Sequence, residues 1–91
     1  MNIDSEAARQ MVAEHIRRFG QYVNVELEYK TTEHKEGWVV TVCPVYKNAY
    51  LRRHRSLGQT KSFFVDDVDG RLHLIPSSGL NCLIAQLRGK L

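Results

Sequence analysis

The chain has little from which a covalent or metal-held framework could be built. Its 91 residues include two cysteines, Cys43 and Cys82, and two prolines. Two thiols do not make the disulfide network of a small secreted scaffold. Cys43 lies in an apolar, strand-like run, which suits a packed side chain and not a reactive thiol. Both cysteines are therefore expected to be reduced and in the core. The four histidines, His15, His34, His54 and His73, fall singly along the sequence, without the spaced Cys/His set that a zinc site needs. No apolar run approaches the roughly 20 residues of a membrane span. The opening MNIDSEAARQ has no basic stretch leading into an apolar one, so no secretory signal is expected and the expected compartment is the cytoplasm.

Motifs of chemistry are also missing. There is no glycine-rich phosphate loop, no GxSxG elbow and no Ser-His-Asp order. The Asp67-Val68-Asp69-Gly70 turn resembles part of a calcium loop. Setting Gly70 at the sixth loop position puts Val65 at the first and Pro76 at the twelfth, and neither side chain can ligate. Asp66, Asp67 and Asp69 are therefore expected in a solvated hairpin turn. With no paired carboxylates or oriented histidine in view, catalysis is not expected, and neither is a cofactor or a metal.

The composition that remains is that of a globular domain: 43% hydrophobic and 25% charged residues. Ninety-one residues make one domain, taken as 1–91. Residues 5–19 read as a helix, with Asp4 or Ser5 as cap and Gly20 as terminator. Ala8, Met11, Val12, His15, Ile16 and Phe19 form its apolar stripe, and His15 reads as a packed histidine. Residues 22–30 alternate, with Val23, Val25, Leu27 and Tyr29 on one side, as in a strand with one dry face. TTEHKEG follows as a polar turn. Residues 38–43, WVVTVC, read as a central strand covered on both faces, which Pro44 ends or bulges. Trp38 reads as a core anchor against the first helix. Residues 62–66 and 71–75 form a hairpin about Gly70. A last helix carries Leu80, Leu83, Ile84 and Leu87, with Ser77 or Ser78 as cap and Arg88 at its C-terminal end. The order α-β-β-β-β-α predicts an α+β, two-layer fold. An antiparallel four-stranded sheet is packed by the N-terminal helix, with the last helix at an edge or on that same face.

One segment stands out. Residues 47–61, KNAYLRRHRSLGQTK, hold Lys47, Arg52, Arg53, Arg55 and Lys61, and no acid. The rest of the chain has eight basic and ten acidic residues, so this segment alone brings the formal charge to +3. It is also longer than an ordinary connection. It can be read as a solvated charge run, as a nucleic-acid contact in which Tyr46 and Tyr50 stack on bases, or as a protein-binding surface. Tyr and Arg are the residue types enriched at interface hot spots. The last reading is preferred: Tyr46, Lys47, Tyr50, Arg52, Arg53, His54 and Arg55 are the expected partner contacts, and an acidic partner surface would suit them. A small nucleic-acid-binding module is the alternative, although no RRM, KH or helix-turn-helix signature is present.

Several of these features occur together in one family. Ala7 and Ala8 open the first helix, and Gly37-Trp38-Val39-Val40 begins a strand. Tyr50-Leu51 and Leu57-Gly58 lie in the connection. Phe63-Phe64-Val65-Asp66 is followed by Asp69-Gly70-Arg71-Leu72-His73. In this combination, over about residues 5–88, the chain resembles the YrhB-like immunity proteins (immunity protein 35 type) of bacterial polymorphic toxin systems. The resemblance implies a small α+β cytoplasmic protein that binds and neutralises a cognate toxin and has no catalytic residues. The chain departs from that family in having Lys61-Ser62 before Phe63 and a strongly basic connection.

Overall fold

The computed structural model describes residues 3–19, 26–45 and 60–89. Helix α1 runs over Ser5–Phe19. The Asp4 carboxylate accepts a hydrogen bond from the Ala7 N–H at 2.7 Å, satisfying one of the donors that a helix start leaves open. Glu6 sits in the first turn, and Arg17 and Arg18 in the last, each suiting the helix dipole. Ala8, Val12 and Ile16 are its buried residues, at helical spacing. On the exposed side Arg9 pairs with Glu6 and Arg17 with Glu14. The expected terminator, Gly20, lies outside the described residues.

Strands β1 (Glu26–His34), β2 (Gly37–Val45), β3 (Lys61–Asp66) and β4 (Leu72–Leu74) form one antiparallel sheet in the order β1-β2-β3-β4. With α1 before it and α2 (Leu80–Leu87) after it, the architecture is α+β and the element order is the predicted one. Two strands run further than expected, and the expected start of β1 at residues 22–25 lies outside the described residues. Thr31–His34, assigned to a turn from their polarity, continue β1, because Thr31 pairs with Val40 and His34 with Gly37. The connection shrinks to Lys35 and Glu36. Pro44 does not end β2; it pairs with Leu27. Beyond Val42, whose partner is Lys61, no described residue pairs with β2 on that side, and a position without a ladder partner is where a missing N–H is tolerated.

Strand alternation divides the sheet into two faces. On one face Val40, Val42, Phe63 and Val65 meet Ala8, Val12 and Ile16 of α1 to form the core, with Ile3, Met11, Leu27, Tyr29, Trp38 and Leu72 packed around it. Trp38 is thus placed as expected. Its indole Nε1 also donates to the Ile3 carbonyl at 2.7 Å, anchoring the chain ahead of α1. The half-buried His15 packs its ring 4.7 Å from Phe19 and 5.5 Å from Phe63.

Phe64 and Asp66 point to the opposite face, yet both are fully buried. His34 meets Phe64 edge-on at 5.8 Å there. Helix α2, with Leu83 as its buried residue, is joined to this side through Arg88, which reaches Asp66 and Glu36. The end of the last helix is thus tied to the face opposite α1. Neither Ser77 nor Ser78 caps it. Gly79 is the cap residue at φ 101°, with no side-chain capping bond. That φ is costly for any residue carrying a Cβ.

Candidate functional site

The most organised polar group in the described residues lies where β3 ends. Asp66 closes a strand whose last four residues are all buried. A carboxylate in that setting is destabilised unless it is paired and hydrogen-bonded. Arg88, just past α2, meets it end-on: Nη1 donates to Oδ2 at 2.8 Å and Nη2 to Oδ1 at 2.9 Å. The Val68 N–H donates to Oδ1 at 3.0 Å. The Arg88 Nε also donates to Glu36, in the β1–β2 turn, at 3.3 Å. The Arg88 hydrogen bonds hold the Asp66 carboxyl below its usual range against the opposing effect of burial, and the Val68 N–H adds to them. Asp66 in turn raises the guanidinium above its already high range. Three elements distant in sequence converge on one ion pair.

The hairpin beyond it is built from its own acids. The Gly70 N–H donates to the Asp66 carbonyl, and the Asp66 N–H to that of Arg71, both at 2.9 Å. Gly70 takes φ 69°, the left-handed conformation this turn requires. Asp69 accepts from the Arg71 N–H at 2.7 Å, and its other oxygen lies 3.1 Å from His73 Nε2. Asp67 accepts from the Ile3 N–H at 2.8 Å. The expectation of a solvated acidic turn is therefore corrected at Asp66, which is buried and ion-paired. The other two acids of the turn are also in use.

Could this group do chemistry? Asp66, Asp69 and His73 bring one potential ligand atom each to within 4.8 Å of one another. Both Asp66 oxygens, however, are already taken by Arg88. A cation would have to displace a bidentate partner that is itself a cation. For the same reason Asp66 is a poor general base. The arrangement is suited to holding the end of α2 against the sheet. Cys43 and Cys82 are free, but half-buried and not in the core interior where the sequence placed them.

The expected contact residues Tyr46, Lys47, Tyr50, Arg52, Arg53, His54 and Arg55 lie outside the described residues. Their attachment points do not. Val45, the last described residue before the segment, is opposite Glu26 in β1, and Lys61, at its other end, is opposite Val42. The basic segment is thus rooted at the end of the sheet away from the Gly37–Asp66 pair and Arg88. Sequence reasoning missed the Asp66–Arg88–Glu36 group. The one available signal was an acid at the end of an apolar strand with a lone arginine at the end of an apolar helix.

No family model, no curated protein and no solved structure matches this chain. Among the described residues, no helix is long and apolar enough to cross a membrane.

Proposed function

We infer that this chain is a non-enzymatic binding protein of the immunity, or antitoxin-like, kind. It neutralises a cognate bacterial toxin by protein–protein contact through the basic segment around Tyr46–Arg55. The observation that carries this reading is where the carboxylates are engaged. Of the ten acids, Glu6 is held by Arg9, Glu14 by Arg17, Glu36 and Asp66 by Arg88, and Asp69 by His73. Among the described residues, at least five of the ten carboxylates thus have a side-chain partner outside residues 47–61. That segment brings five cations and no acid of its own. A concentrated positive charge flanked by Tyr46 and Tyr50 is the composition of an interface that steers an acidic partner over about a Debye length, ~8–10 Å at ordinary salt. The protein acts in the cytoplasm and uses no cofactor.

The test is protection. The C-terminal domain encoded by the adjacent upstream reading frame is expressed in a bacterial host with either this chain or its Arg52→Glu/Arg53→Glu/Arg55→Glu variant. The parent is expected to restore growth and the folded variant to fail. Equal protection by both, or an upstream domain without toxicity, contradicts the reading. Binding of single-stranded RNA or duplex DNA by the parent in low salt, lost in the variant, would instead favour a nucleic-acid module.

A further inference from the structure

The two edges of the sheet differ. β4 is a three-residue edge, too short to template much pairing. β1 is nine residues long and is paired with β2 on one side. Among the described residues nothing pairs with its other side. Alternate residues of such a strand turn their N–H and C=O groups outward, ready for another strand. Proteins commonly blunt an edge of this length with charge, and a lone lysine would do so here. In β1, however, the lysine has an acid two residues before it on the same face. Glu28 and Lys30 are both exposed, and the half-buried Tyr29 between them belongs to the α1 face.

That spacing is self-complementary. Suppose a second copy of β1 lies antiparallel along the first, related by a two-fold axis perpendicular to the sheet. This keeps both α1 helices on one side, so core-facing residues meet core-facing residues. With the axis at Tyr29, Tyr29 meets its own copy, Leu27 meets Thr31, and Glu26 meets Thr32. Glu28 meets Lys30 of the second copy, and by symmetry Lys30 meets Glu28. With the axis at Glu28 or Lys30, that charge faces itself. With the axis at Thr31, Lys30 faces only Thr32. One register therefore pairs both charges with opposites and opposes no like charges. Neither Glu28 nor Lys30 has an ion-pair partner among the described residues that it would have to give up.

We propose that β1 is a homodimerisation edge, joining two copies into one eight-stranded sheet centred on Tyr29. The proposed contact uses no residue of the basic segment, and the proposal does not depend on that segment's role. The test is charge exchange, read by sedimentation velocity of the full-length chain over a micromolar-to-millimolar dilution series. The parent is expected to dimerise with increasing concentration. Glu28→Lys places Lys opposite Lys twice per dimer, and Lys30→Glu places Glu opposite Glu twice. Each variant is expected to dimerise at least about tenfold more weakly, since cross-strand charge pairs count individually and are reversed twice. An equimolar mixture of the two single variants restores both attractions and is expected to dimerise like the parent. So is the double exchange Glu28→Lys/Lys30→Glu. Both positions are exposed, so the variants are expected to keep the parent's circular dichroism. The triple arginine variant is expected to dimerise normally. A parent that stays monomeric throughout, single variants that associate as well as the parent, or a mixture no better than its components would overturn the proposal.

Discussion

Arg88 and Asp66 meet through two parallel hydrogen bonds, at 2.8 Å and 2.9 Å, although 22 residues separate them in sequence. The pair joins the end of α2 to the end of β3, on the sheet face opposite α1. Asp66→Asn removes the charge while keeping the shape. The expected loss is about 2 kcal/mol, less than the roughly 3–5 kcal/mol for a fully buried pair, because Arg88 keeps Glu36 and remains partly wet. In a domain of this size the unfolding midpoint would fall by about 10 °C. An unchanged thermal midpoint would mean that α2 is held by its apolar face alone.

The same pair sets an acid limit. The folded Asp66 carboxyl is held below its ordinary value, so its contribution is complete above the unfolded value near ~3.9. It is lost as the pH falls from there through the lower folded value, because the unfolded state then binds the proton more readily. Urea midpoints of the parent are expected to drop between about pH 5 and pH 2, and those of Asp66→Asn to drop less. Parallel pH profiles for the two proteins would contradict this.

Gly37 makes a close approach of a different kind. A Cβ built there would lie 2.1 Å from the Val65 carbonyl oxygen, a backbone atom that cannot turn aside. Gly37→Ala is expected to cost at least about 2 kcal/mol, in the range of overpacking penalties. It would also disturb the β2–β3 ladder beside Asp66. Chemical denaturation measures this directly, and parental stability in the variant would show that the strands can part without penalty.

The periodic elements were legible in the sequence because their burial is one-sided. Ala8, Val12 and Ile16 recur at the helical period, and Leu27 and Tyr29 alternate. The apolar Phe63-Phe64-Val65 run is buried on both faces. Polar residues misled where tertiary pairing outweighed local character. Thr31–His34 read as a turn, but they are edge-strand residues paired with β2. Asp66 read as a turn acid, and its burial depends on Arg88, which no local pattern connects to it. The cap of α2 was missed because Gly79 supplies a backbone conformation instead of a side-chain oxygen. The candidate partner contacts at Tyr46–Arg55 were legible only as composition, a block of charge that core packing does not require.

Trp38 ties the N-terminal segment through a single donor. Trp38→Phe keeps the ring in the core but removes the 2.7 Å bond to the Ile3 carbonyl, at an expected cost of about 1 kcal/mol. Faster amide exchange confined to the start of α1 is the expected signature. Unaltered exchange at Ile3 and its neighbours would show that the Ile3–Asp67 bond suffices.

The central claim is recognition through clustered cations. The most direct measurement is the affinity of the purified C-terminal domain encoded by the adjacent upstream reading frame, the proposed partner, for the parent and for the Arg52→Glu/Arg53→Glu/Arg55→Glu variant, each at low and high salt. The parent is predicted to bind tightly and to weaken as salt is added, as exposed charge contacts do. The variant is predicted to bind much more weakly, with little dependence on salt. Parental affinity in the folded variant at both salt concentrations would place the contact surface elsewhere on the molecule.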